Sequence, residues 1–160
     1  MSNNGTPDLA AIPAAGLNFS IVAARWHEEI MTGLLSGAIS YLDSCGAGSI
    51  DVIRVPGSFE LPIAVQSELH NPRIHAAIAL GLVLRGDTPH FDYVCSGVTN
   101  GLMQVMLSTG KPVGFGLLTC NSISEAFDRA GLPGSTSNKG AEAANAAVAL
   151  ATQFNQRGSS

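Results

Sequence analysis

Six consecutive residues, Arg85-Gly86-Asp87-Thr88-Pro89-His90, bring together side chains suited to holding a phosphate and moving a proton. They directly follow the longest apolar run of the sequence, residues 76–84. Gly86 lets the main chain approach a ligand closely. Asp87 and Thr88 precede a helical pattern, so their N–H groups sit near the positive end of a helix, which favours anions. His90 lies within a few residues of that end and exchanges protons near neutral pH. The same residues also suit a plainer role, in which Asp87 or Thr88 caps the helix and His90 is a surface histidine. The pattern alone leaves both readings open.

Three further places carry chemistry-bearing side chains. Trp26, the one tryptophan, follows an apolar strand-like run, and its ring could stack on a heteroaromatic ligand. A core or interface tryptophan is the commoner use of such a residue. Phe59 and Glu60 follow a glycine turn. They suit either a ring wall with main-chain groups around Ser58 and Glu60 reading a polar edge, or an ordinary helix start with Glu60 favouring the dipole. Arg129 and Lys139 bracket a Gly/Pro/Ser loop. Arg129 has the fork geometry for a phosphate, and equally suits a cation near a helix C-terminus. His27, His70 and His75 have no partner pattern and read as structural. Lys111 lies in Thr109-Gly110-Lys111-Pro112, which lacks Walker-loop spacing, and no GxGxxG follows a strand.

The elements that must position these residues follow from periodicity. Apolar runs predict strands at 17–24, 50–55, 76–84 and 113–118. Helical spacing predicts helices at 28–43, 59–70, around 94–106, 122–130 and 138–154, with Pro62 tolerated in a first turn. Residues 1–16, rich in Ala, Pro, Gly and Asn, read as a flexible or extended arm, and 17–160 as a single domain. Strands alternating with helices imply a parallel sheet covered on both faces. The fold class is therefore α/β, a three-layer α/β/α sandwich around a four-stranded parallel sheet, flavodoxin-like. In such sheets ligands bind beyond the carboxyl ends of the strands. That rule selects the four places Arg25–His27, Pro56–Glu60, Arg85–His90 and Thr119–Asn121.

Composition narrows the function classes. The 160 residues are 46% hydrophobic and 12% charged, with a net charge of −4. So apolar a chain has surface to bury against copies of itself. The absence of a basic run argues against nucleic acid. No apolar run is long enough to span a bilayer, and no secretory signal is read, so a cytoplasmic protein is expected. Cys45, Cys95 and Cys120 are scattered and form no metal or disulfide pattern. Two readings survive: an enzyme acting on a phosphorylated small molecule and an aromatic partner, or a flavin- or nucleotide-binding module without catalysis. A passive binder has no use for a proton shuttle at His90.

Longer motifs favour the enzyme, with a flavin-binding relative kept as the alternative. Val55-Pro56-Gly57-Ser58-Phe59-Glu60-Leu61-Pro62 resembles the V-P-G-[AS]-F-E-[IL]-P of lumazine synthases. The stretch from Leu84 to Val94 is similar to that family's I-R-G-x-T-x-H-[FY]-[DE]-Y-V. Phe115-Gly116-Leu117-Leu118-Thr119, Asp128-Arg129-Ala130-Gly131 and Asn138-Lys139-Gly140 follow in the same order and spacing. The resemblance runs from about residue 17 to residue 151. It implies the penultimate step of riboflavin biosynthesis, with no metal and no cofactor. Dihydroxybutanone phosphate and 5-amino-6-ribitylaminouracil condense to dimethylribityllumazine. By position, Trp26 stacks on the pyrimidine; Ser58, Phe59 and Glu60 line the ring and ribityl pocket; Val83 and Leu84 floor it. Gly86, Asp87 and Thr88 contact the phosphate, and His90 shuttles protons. Phe115, Arg129 and Lys139 match residues supplied by a neighbouring subunit.

The resemblance also implies a homo-oligomer and association with riboflavin synthase. A pentamer is favoured over a sixty-subunit shell, because the loop 132–137 is slightly longer than in shell formers. The arm is expected to add a strand to a neighbour's sheet. Cys120, where the family commonly has Thr, and Ser124-Glu125-Ala126, in place of E-Q-A, depart from the pattern at positions without chemistry.

Overall fold

The computed structural model describes residues 8–159. Four strands, β1 (Asn18–Ala24), β2 (Ser49–Val55), β3 (Ala76–Leu84) and β4 (Val113–Cys120), form one all-parallel sheet in the order β2-β1-β3-β4. Helices α1 (Glu28–Ser44) and α5 (Lys139–Gly158) pack together on one face, and α2 (Leu61–Leu69) and α3 (His90–Thr109) on the other. The short α4 (Ile123–Phe127) lies against β4. The expected three-layer α/β/α sandwich is thus present.

The centre of the sheet shows why the apolar runs are continuous. Residues 76–82 of β3 are buried, because helices cover both of its faces. Close approach of α1 and α5 needs small residues: a Cβ on Gly140 would collide with the Leu34 carbonyl. The one fully buried polar side chain in β1, Ser20, donates to Glu68 Oε2 at 2.8 Å. By contrast β2 is an edge strand, and Val52 and Ile53 are exposed.

Several boundaries differ from the periodicity. The helix expected at 59–70 begins as a 3-10 turn, Ser58–Glu60, and becomes α2 only at Leu61, with Pro62 in its first turn. The helix expected around 94–106 starts at His90, so His90 itself occupies the first turn of α3. The helix expected at 122–130 is only Ile123–Phe127. It unwinds because the Asp128 carbonyl accepts from the N–H groups of Thr136 and Ser137, both at 2.9 Å, and the chain then turns at Gly131 with φ 71°. α5 continues past residue 154 to Gly158.

Residues 1–7 of the expected arm lie outside the described residues. Residues 8–14 carry no helix or strand and run beside the end of α1. There Ala14 N–H donates to the Cys45 carbonyl at 2.8 Å, and Tyr41 Oη donates to the Ala10 carbonyl at 3.1 Å. At the N-terminal end of the sheet, Lys111 Nζ donates to the carbonyls of Leu69 and Asn71, capping the C-terminus of α2. His75 Nδ1 accepts from Asn18 N–H. Lys111 and His75 are structural.

Candidate active site

The chain turns back on itself between β2 and β3, so the strand order reverses between β1 and β3. The crevice above their carboxyl ends is where such sheets bind ligands. Around it stand Trp26, after β1, and Phe59, after β2, respectively 68% and 65% exposed. Such exposure of two large rings is costly on a soluble surface and suits a surface that meets a ligand or another chain. The Gly57 main chain passes beneath the Trp26 indole, where a Cβ would lie 3.8 Å from Nε1. Phe59 leans over Gly97 of α3, where a Cβ would stand 3.6 Å from the ring.

The turn carrying Phe59 is held by its neighbours' side chains. Ser58 is buried and its hydroxyl donates to the Leu82 carbonyl at 3.1 Å. Glu60 folds back, and its carboxylate accepts from Gly57 N–H at 2.9 Å. Both residues shape the turn with their side chains.

The loop after β3 is open. Gly86, Asp87, Thr88 and His90 are exposed, and a Cβ on Gly86 would meet nothing within 4 Å. His90 N–H points to Thr88 Oγ1 at 3.4 Å, a long contact. Val83 and Leu84 are half-buried beneath the loop. Arg85, the first residue of the motif, turns sideways. Its Nε donates to Asn121 Oδ1 at 3.0 Å, Nη2 lies 3.4 Å from Asp92, and the guanidinium stacks 4.2 Å from the centre of the Phe91 ring. Arg85 therefore braces the loop against α3 and the end of β4.

Phe115, Arg129 and Lys139 gather elsewhere, at the β4 edge. They line a cavity of about 460 Å³ together with Thr119, Glu142 and the small residues of α5. Lys139 Nζ pairs with Glu142 at 2.6 Å, and Arg129 Nη1 donates to the Glu125 carbonyl at 2.7 Å. The Asn121 N–H beside Glu125 holds its carboxyl below the usual range. Burial pushes the Cys120 and Cys95 thiols up, so neither is a thiolate nucleophile near neutral pH. Among the described residues no group of three or more His, Cys, Asp or Glu could hold a metal, and no helix is long and apolar enough to cross a membrane.

Residues 16–155 match the family model for 6,7-dimethyl-8-ribityllumazine synthase. The chain belongs to this family. A 6,7-dimethyl-8-ribityllumazine synthase of Streptomyces coelicolor is 50% identical over 151 residues, covering 94% of this chain and 93% of that protein. Those of Leifsonia xyli and Clavibacter michiganensis are 53% and 52% identical, each over 94% of this chain and 95% and 94% of theirs. The lumazine synthase motifs coincide with the crevice and the edge cavity just described.

The site residues expected from sequence thus fall into two groups. Trp26, Phe59, Val83, Leu84, Gly86, Asp87, Thr88 and His90 share the crest of the sheet with the Ser58–Glu60 turn. Phe115, Arg129 and Lys139 share the edge cavity, which none of the crest residues lines. Sequence reasoning missed the bracing side chain Arg54, whose partners Ala23 and Ala24 lie 31 and 30 residues away. Asn121 lies in a turn that the strand-end rule selects, but nothing local marks its partner Arg85, 36 residues away. Glu125 was missed too, although Ser122-Ile123-Ser124-Glu125 has the local pattern of a helix start, and Glu125 N–H donates to Ser122 Oγ at 3.2 Å.

Proposed function

We propose that the crest and the β4-edge cavity are two halves of one active site, closed when one copy's edge meets another copy's crest. As a member of its family the chain is a transferase. It condenses 5-amino-6-(D-ribitylamino)uracil with 3,4-dihydroxy-2-butanone 4-phosphate to 6,7-dimethyl-8-ribityllumazine. The observation that carries the two-half reading is the separation itself. A phosphate and an aromatic ring must meet in one place, yet the candidate phosphate arginine and the stacking tryptophan line different surfaces of one chain.

In this reading Trp26 and Phe59 hold the pyrimidine by stacking. Main-chain groups of 58–60 read its polar edge and the ribityl chain, over a floor of Val83 and Leu84. Gly86, Asp87 and Thr88 meet the phosphate at the first turn of α3, and Arg129 of the other copy grips it from outside. Phe115 and Lys139 close the same side. The 5-amino nitrogen attacks the ketone carbon and a Schiff base forms with loss of water; phosphate is then eliminated, and the ribitylamino nitrogen closes the second ring on the adjacent carbonyl carbon with loss of a second water. Alignment supplies much of the acceleration. His90 moves protons, an effect on the order of 10²–10⁴-fold.

The same reading makes residues 17–160 the catalytic unit of a cytoplasmic homopentamer, with the arm adding a strand to a neighbour and riboflavin synthase as a further partner. The exposed Val52 and Ile53 of edge strand β2 support strand addition. Light scattering should give five times the 16.4 kDa chain mass, and a mass near sixty chains contradicts the pentamer. Mixing the purified protein with both substrates should produce lumazine fluorescence. A folded preparation that binds flavin but forms no product would point to a binding module instead.

A further inference from the structure

Trp26 is presented by a turn that is not held by its own conformation. His27, the next residue, adopts φ 58° and ψ 62°, the left-handed region that a β-carbon disfavours. Such a conformation persists only where the surroundings impose it. The two rings meet only loosely, with centroids 6.5 Å apart and planes tilted by 59°.

The main chain of the turn is tied at Arg25 N–H, which donates to the Val55 carbonyl at 2.9 Å, and the side chain that spans it is Arg54. It stands on β2 opposite Ala23, near the carboxyl end of the sheet. Its Nε donates to the Ala23 carbonyl at 3.3 Å and its Nη2 to the Ala24 carbonyl at 2.9 Å. The two Nη atoms also reach both oxygens of Glu28, at 3.1 and 3.0 Å. One guanidinium thus grips the chain immediately before residues 25–27 and immediately after them. Trp26 is the middle residue of the span it brackets.

A stabilising role alone accounts poorly for this arrangement. The Glu28 side chain is 64% exposed, and exposed ion pairs add little to stability. A planar fork engaging a carboxylate and two carbonyls together adds geometric definition. The Arg54 guanidinium also holds the Glu28 carboxyl below its usual range.

We propose that Arg54, with Glu28, is a positioning residue for the reaction: it fixes the Arg25–His27 turn so that the Trp26 ring lies ready for the pyrimidine. The proposal rests on Trp26 being the stacking wall. Its consequence is selective. Loosening the clamp should weaken capture of the aromatic substrate, while the phosphate substrate, held at the other end of the site, should be unaffected.

The test uses the full chain and its only tryptophan. In Arg54→Met, KM for 5-amino-6-(D-ribitylamino)uracil should rise about tenfold, since small misplacements of a positioning group cost that much. kcat and KM for the phosphate substrate should stay within about twofold. Acrylamide quenching of Trp26 should increase and its anisotropy fall. Arg54→Lys should recover only part of the loss, because an ammonium cannot fork. Glu28→Gln, at an exposed position, keeps the test available if Arg54→Met folds poorly, and should shift KM and quenching the same way. Unchanged KM and quenching in both variants, with Trp26→Ala raising KM, would overturn the clamp. A uniform fall in kcat with both KM values raised would also overturn it, as a general structural effect. If Trp26→Ala leaves KM unchanged, the stacking reading fails instead.

Discussion

The crest of the sheet and the β4 edge offer ligands in opposite ways. On the crest, rings and a histidine stand out in solvent, and the order lies beneath them, in Ser58 on the Leu82 carbonyl and Arg54 on the end of β1. At the β4 edge the charged groups are already engaged, Lys139 with Glu142 and Arg129 with the Glu125 carbonyl. The crest resembles a platform awaiting a flat ligand and a cover. The edge resembles a preset cover, its two cations lining the cavity and held in place by their own chain. Preset groups need no reorganisation when the ligand comes, which is where charge stabilisation is most effective.

Substitutions should separate the two regions. The largest effect is expected from Arg129→Ala, a loss of about 10²-fold or more in kcat/KM for the phosphate substrate, because a charge-assisted fork is removed from a partly buried place. Steady-state kinetics with each substrate varied would check it, and an unchanged value would detach Arg129 from the site. His90→Ala should be milder, at about 10–10²-fold in kcat, since alignment remains intact. Equal and negligible losses in both variants would remove the proposed roles.

Beneath the crest, Ser58→Ala should lower stability by about 1–2 kcal/mol by leaving the buried Leu82 carbonyl unpaired. Urea denaturation measures this, and no change in midpoint would show that the hydroxyl is not needed there. Gly81→Ala should strain the same contact, because a Cβ would press on Ser58 Oγ and Leu61.

The smallest effect lies far from both regions. Tyr41 is buried beside the arm, and burial raises its pKa above the ordinary phenol value. A raised folded pKa means that its contribution to stability is intact below the unfolded value of about 10 and is lost as pH rises through the folded one. Unfolding midpoints should therefore fall more steeply above pH ~10 in the parent than in Tyr41→Phe. Identical slopes would contradict this.

How much of this was legible in the sequence follows from range. β3 announces itself because a strand covered on both faces must be apolar at every position. The Val55–Pro62 and Leu84–Val94 stretches are continuous, so their places at strand ends could be read directly. The fold class and element order came from the same local patterns. What escaped was set by distant partners. Nothing local to Ser58 shows that its hydroxyl turns inward to Leu82, nor local to Arg85 that it turns away to Asn121. The end of α4 was misread because the Asp128 carbonyl is claimed by a loop eight and nine residues ahead. Nothing local marks Arg54 either, since its partners Ala23, Ala24 and Glu28 lie 26 to 31 residues away.

The central claim, that crest and edge come from different copies, has a direct test. Trp26→Ala/His90→Ala disables only the crest, and Arg129→Ala only the edge. Each variant alone should be nearly inactive. Unfolded, mixed in equal amounts and refolded together, they should regain about a quarter of the parent activity, because random assembly places an intact crest against an intact edge at about one site in four. A mixture that stays as inactive as its components, while assembling normally, would contradict a site shared between copies.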